Sequence, residues 1–143
     1  MIHDNEIEVT GPIVLELWVS SSVPDTDFTA KLVDVFTNGV AVPCARVVRT
    51  IGVETPATVP GPVYKFDIDM RATSNSSRPC TTSSYFVSSS EFPTYELNPD
   101  TGKRITHDSS VTTVPAIQRV FHDESHPSRL VLPVIGAEPP IYY

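Results

Sequence analysis

Proline sets the first limit on this chain. Fourteen of its 143 residues are proline, spread along the whole length. Each costs an α-helix interior about 3 kcal/mol, through a missing N–H donor and a clash with the preceding turn. Long helices have little room, and the apolar residues follow another period. Over residues 63–70, Tyr64, Phe66, Ile68 and Met70 alternate with Lys65, Asp67 and Asp69. That period of two predicts a half-buried strand. Residues 13–19 set Ile13, Leu15, Leu17 and Val19 on one face, with Val14, Glu16 and Trp18 on the other. Residues 28–36 oppose Phe28, Ala30, Leu32 and Phe36 to Thr29, Lys31, Val33 and Val35. Both read as interior strands whose second faces are partly covered.

A polar loop with Pro24, Asp25 and Asp27 joins these two strands, and Asn38-Gly39 supplies the positive-φ pair of a tight reversal. Further strands are predicted over 46–51, 85–89, 117–122 and 130–135. Seven short strands with turn clusters between them and no convincing helix predict an all-β antiparallel sandwich or jelly roll. Loops 52–62 and 91–115 are long enough to bind something or to pack on a neighbour. Residues 1–136 read as one domain. The tail 137–143 reads as an extended terminus outside the sheets.

Size and charge narrow the function. A chain of this length buries roughly 68–70% of its unfolded surface, enough for a core. Mean hydropathy is -0.04, and no apolar run approaches the ~20 residues that span a bilayer. Lys plus Arg number 10 against 17 Asp plus Glu, a net charge of -7. The positive residues are scattered, so nucleic-acid binding is not expected. The opening MIHDNEIEV has neither a basic n-region nor an apolar h-region, and no signal peptide is expected. Cys44 and Cys80 then read as free thiols in a reducing, cytoplasmic setting. In that setting the sequon Asn75-Ser76-Ser77 carries little weight.

A catalytic site is hard to find. The six glycines stand at 11, 39, 52, 61, 102 and 136. A Gly-x-Ser-x-Gly elbow needs two glycines four positions apart, so these residues hold none. The run HDESHPS at 122–128 gathers His122, Asp123, Glu124, His126 and Ser128. Metal ligands at H-x-x-x-H spacing meet on a helix, which Pro127 opposes. A working triad draws its members from separated segments. The preferred reading is a structural polar corner whose histidines bond backbone. Asp25, Asp27, Asn98 and Asp100 offer oxygen ligands of the kind calcium takes, yet Asx turns are the commoner use of such residues beside proline. Trp18, Tyr95, Tyr142 and Tyr143 could stack on a sugar, but a mid-strand Trp18 reads better as core or domain-interface packing. The serines at 20–22, 83–84 and 88–90 end strands, where hydroxyls satisfy loose backbone groups. No catalytic residue, cofactor or metal is assigned.

Four runs in order carry a resemblance: VTGPIVLELWVSSSVPDTDFTAKLVDVF (9–36), PGPVYKFDIDMRATSNSSRP (60–79), SSSEFPTYELNPDTG (88–102) and VFHDESHPSRLVLPVI (120–135). Their order and spacing resemble the C-terminal domain of the X-prolyl dipeptidyl-peptidase, cocaine esterase and α-amino-acid ester hydrolase family of serine hydrolases. The resemblance implies a galactose-binding-domain-like jelly-roll β-sandwich packed on a preceding α/β-hydrolase domain that holds the triad. The sandwich would support that catalytic domain or chain, wall its cleft and contribute to a subunit surface, with a homo-oligomer as one outcome. Two departures stand out. After Arg78-Pro79 the family continues with Gly-His and an alternating basic and apolar strand, whereas this chain reads CTTSSYFV, which weakens that strand's expected packing. Family members also carry sheet residues ahead of EVTGP, so an N-terminal strand is expected to be missing. The alternatives are a free-standing carbohydrate-binding sandwich and a gene fragment without independent function.

Overall fold

The computed structural model describes residues 7–51, 59–77, 82–102, 112–136 and 141–142, all of them strand or loop. Two antiparallel sheets form. The first holds β1 (Ile7–Ser21), β4 (Tyr64–Ser77), β6 (Gln118–Phe121), β7 (Arg129–Leu132) and β8 (Ile141–Tyr142). Its order is β4-β1-β7-β8, with β6 also pairing β1. The second sheet is β3 (Ala41–Ile51), β2 (Thr26–Val35) and β5 (Thr82–Ser88), in the order β3-β2-β5.

The inward alternation of β1 places Ile13, Leu15, Leu17 and Val19 in one buried cluster with Phe28, Ala30 and Leu32 of β2. Ile68 and Met70 of β4 and Leu130 and Leu132 of β7 complete it, with Phe66, Val87 and Val134 packed at its margin. Each of the larger side chains contributes about 1.5–3 kcal/mol on leaving water. The all-β sandwich expected from the alternation is the fold observed.

Several strands run longer than their patterns suggest. Pairing of β1 with β4 shifts between Pro12↔Ala72 and Val14↔Asp69, leaving one extra residue on β4. Arg71 sits there with φ 68°, and its N–H donates to Asp69 Oδ1 at 2.7 Å. The bulge switches which parity faces inward, so the strand continues where its alternation stops. In β3, Pro43 pairs with Val33 and a second shift follows Leu32. A proline is accepted because β3 is an outer strand of its sheet. β5 forms despite its departure from the family pattern, pairing β2 from Thr29↔Ser88 to Val35↔Thr82.

The tail differs from expectation. Ile141 and Tyr142 pair with Leu132 and Val131, adding a short strand to the first sheet. An extended apolar-aromatic dipeptide satisfies its backbone best at an open edge. Asn38-Gly39 does reverse the chain: Gly39 has φ 82°, and its N–H bonds the Phe36 carbonyl at 2.8 Å. Cys80, Tyr143, most of the 52–62 loop and residues 1–6 lie outside the described residues.

Candidate functional site

Two polar clusters flank β6. The first is the corner that β6 and β7 make along one edge of β1. β6 pairs with Ser21 to Trp18, and β7 with Glu16 to Val14. Residues 122–128 loop out opposite Leu17, and a bridge between His122 and Pro127 closes the neck. The excursion removes a ladder partner from the Trp18 N–H, and the Ser128 hydroxyl accepts that hydrogen at 2.9 Å. His122 Nδ1 meets the Ser128 carbonyl at 2.9 Å rather than the hydroxyl, so this serine serves the strand ladder.

Asp123 organises the rest of the corner. Its Oδ1 accepts the backbone N–H groups of Ser125 and His126, both at 2.9 Å, and its carboxylate faces His126 Nδ1 at 3.2 and 3.3 Å. Loss of hydration pushes the Asp123 carboxyl up, but the two backbone donors and the His126 ring outweigh it and leave its pKa below the ordinary value. His126 meets Trp18 edge-on, ring centroids 5.3 Å apart, and lies 5.5 Å from Phe121. The indole of Trp18 is half-buried under this contact, which takes away part of the open platform a stacked sugar would need.

Beside the corner, on the same face, the register sets Glu16 opposite Arg129 on one side and Asp67 on the other. Glu16 bonds the Arg129 guanidinium and, at 3.0 Å, Lys65 Nζ; Lys65 also reaches Asp67 at 3.3 Å. The Arg129 hydrogen bond, then that of Lys65, holds the Glu16 carboxyl below its ordinary pKa. The hydrogen bond to Glu16 raises Lys65 in turn.

The second cluster joins the start of β2 to residues 98–101. Asp25 and Asp27 are buried. The Asn98 amide donates to Asp25 Oδ1 at 3.3 Å and to Asp27 Oδ1 at 3.0 Å, while Asn98 Oδ1 accepts the Asp100 N–H at 2.9 Å. Thr26, between the two aspartates, bonds the Asp100 carboxylate and accepts from the Gln118 amide. Burial raises the Asp25 carboxyl, opposed by the Asn98 donor and reinforced by Asp27 and Asp100. Burial also raises Asp100, against the Thr26 bond. An amide N–H directed at two carboxylates ties a loop down; a cation would need that nitrogen replaced by oxygen. Among the described residues, no three His, Cys, Asp or Glu are grouped to hold a metal ion.

The structure therefore gathers Trp18, His122 and His126 in one cluster and Asp25, Asp27, Asn98 and Asp100 in the other. It does not bring the two together. Glu16, Gln118 and Arg129 also belong to these networks, and only the tertiary structure reveals them. A recess at one end of the sandwich is lined by Val19, Val23, Phe28, Val59, Phe66 and four hydroxyl residues, Ser20, Ser21, Thr26 and Tyr64. No carboxylate, imidazole or thiol lines it, and the Thr26 hydroxyl on its wall is already engaged by the Asp100 carboxylate and the Gln118 amide.

The fold and these clusters define an antiparallel β-sandwich domain whose described polar groups bind its own loops to its own strands. Residues 4–131 match the family model of the X-Pro dipeptidyl-peptidase C-terminal non-catalytic domain, and the chain belongs to that family. It is 44% identical over 134 residues to cocaine esterase of Rhodococcus sp. (strain MB1 Bresler), covering 90% of this chain and 23% of the esterase. Three solved structures share the fold. An α-amino acid ester hydrolase has a TM-score of 0.81 at 22% identity, over 94% of this chain and 24% of its own. An aminopeptidase from a marine sediment Thaumarchaeota archaeon has 0.78 at 24% identity, over 95% and 25%. A CocE/NonD family hydrolase from Staphylococcus aureus has 0.74 at 16% identity, over 95% and 30%. The chain thus spans about a quarter of the length of the proteins it matches. No helix among the described residues is long and apolar enough to cross a membrane.

Proposed function

We propose that this chain is the supporting sandwich of an X-Pro dipeptidyl-peptidase-like serine acyl or peptide hydrolase, with the nucleophile, base and oxyanion donors on a catalytic α/β-hydrolase partner. The observation that carries this reading is the match of residues 4–131 to a non-catalytic domain, within a chain that covers 23% of a related esterase. The internal use of Ser128, His122, His126 and the aspartates supports it, because none is left as an activated nucleophile beside a base. Its contribution is mechanical. Catalytic groups must be held within about 0.5 Å of productive geometry, and a rigid neighbouring sandwich restrains the loops that carry them. The reading places the chain in the cytoplasm, away from membrane and nucleic acid, in keeping with its acidic charge.

A fusion tests the reading. The whole 143-residue chain replaces the matched segment behind the catalytic region of the Rhodococcus esterase. The fusion is expected to hydrolyse p-nitrophenyl acetate with a longer half-life at elevated temperature than the catalytic region without any sandwich. Equal half-lives would sink the proposal. The chain by itself is expected to leave that ester at the buffer rate; turnover abolished by a serine-directed inhibitor would count equally against it.

A further inference from the structure

Resting on that reading, we infer that Phe86, Phe92, Tyr95 and Leu97 form the ridge by which this sandwich docks onto the catalytic α/β-hydrolase region. The ridge lies on the outer face of the β3-β2-β5 sheet, and two anchors define it. Glu91 pairs with Lys31 midway along β2, and Asn98 bonds Asp27 near the start of the same strand. Lys31 and Asp27 are four residues apart on one face of β2, about 13 Å at the strand rise. Residues 92–97 are therefore confined to a short crossing of that face. The Thr94 and Tyr95 N–H groups bond the Glu91 carbonyl at 2.8 and 3.2 Å, folding the segment into a turn. Beneath the crossing, Asp27 and Thr29 are buried although they point away from the core. Phe86 stands opposite Lys31 in register and joins the ridge on the same face.

These four side chains are held out of the core. Phe92 is 69% exposed, Leu97 56%, Phe86 55% and Tyr95 45%. With roughly 200 Å² per large side chain, they leave about 450 Å² in solvent. That is the size of the largest apolar patch on a typical monomer, a patch that is often functional. It also selects the occupant. Interfaces between domains of one enzyme bury about 600–1,500 Å² in total, or about 300–750 Å² a side. A free-standing complex with a second copy needs about 800 Å² from each partner. The ridge fits the first and falls short of the second. The occupant is thus the catalytic region that makes up most of the length of the related esterase. The outer face of the other sheet, with Glu16 between Lys65 and Arg129, is charged and suited to water.

The test uses the esterase fusion with Phe92→Ser and Leu97→Ser together, against Val120→Ser with Ile135→Ser, two exposed positions off the ridge. The ridge variant is expected to shorten the fusion's half-life at least about fivefold while the control pair leaves it unchanged. In the chain alone, the ridge pair is expected to leave the unfolding midpoint unmoved. If that midpoint falls, Phe92→Gln alone replaces the pair and is read the same way. Ridge variants as long-lived as the unaltered fusion would overturn the docking surface while leaving the supporting role intact. An unaltered fusion no more stable than the catalytic region alone would remove that role and the ridge with it. A concentration-dependent dimer of the chain alone, abolished by the ridge pair in sedimentation, would overturn the choice of occupant.

Discussion

Replacing Ser128 by alanine tests how the β6–β7 corner is tolerated within the first sheet. Ser128 is 3% exposed and its hydroxyl accepts the Trp18 N–H at 2.9 Å. Alanine deletes that acceptor and opens no space that a water could use. A buried backbone donor left unpaired costs about 1–3 kcal/mol, so a loss of about 2 kcal/mol is expected. At roughly 2–4 °C per kcal/mol for a chain near this size, the midpoint should fall by about 4–8 °C. Urea unfolding can be followed by the fluorescence of the single tryptophan and by circular dichroism, whose agreement checks two-state behaviour. Ser125→Ala is the control: its side chain is exposed and only its backbone bonds Asp123, so it should stay within about 0.5 kcal/mol of the parent. If Ser128→Ala matched that control, the hydroxyl would not be the partner that the interrupted ladder requires.

Three other perturbations follow from the same geometry. Gly11 has φ +135°, and a Cβ there would stand 3.1 and 3.3 Å from two atoms of the Pro133 ring; Gly11→Ala should cost about 1–3 kcal/mol, and an unchanged melting midpoint would count against the strain. Glu16→Gln should lose less than about 1 kcal/mol at neutral pH, since the pairs lie on an exposed face. Because the folded pKa of Glu16 is lowered, its contribution is present above the unfolded value and lost as pH falls through the folded one. The gap between parent and variant should therefore close in acid and in 1 M salt; a gap indifferent to both would contradict an ionic origin. Asp25 behaves oppositely. Its folded pKa is raised, so stability held below the unfolded value is lost as pH rises through the folded one. Asp25→Asn should flatten that slope, and parallel pH profiles for parent and variant would refute the cost of burying the ionised carboxylate.

How far the fold could be read from the sequence depended on where parity held. Alternation in residues 13–19, 28–36 and 63–70 identifies the strands that build the core, because burial on one face of a pleat is a local property of the chain. Past Met70 the signal stops, since the Arg71 bulge exchanges the faces and the following ATSNSS is polar. Pro43 hid the start of β3, because only an outer strand tolerates it and strand order is not local. The corner's residue types were visible in HDESHPS. The use of Ser128 was not, because the Trp18 N–H it serves lies 110 residues away. Asp25, Asp27, Asn98 and Asp100 were each legible as turn residues, but their contact spans more than 70 positions.

Proline content, period and glycine spacing determined that these residues form an all-β domain and hold no nucleophile elbow, since each is a matter of neighbours along the chain. Tertiary structure alone decided which strands share an edge, which hydroxyl repairs the interrupted ladder and which aromatics remain outside. Those outcomes turn on register between segments far apart in sequence. A one-residue slip, which no local pattern records, would send every side chain of a strand to the opposite face.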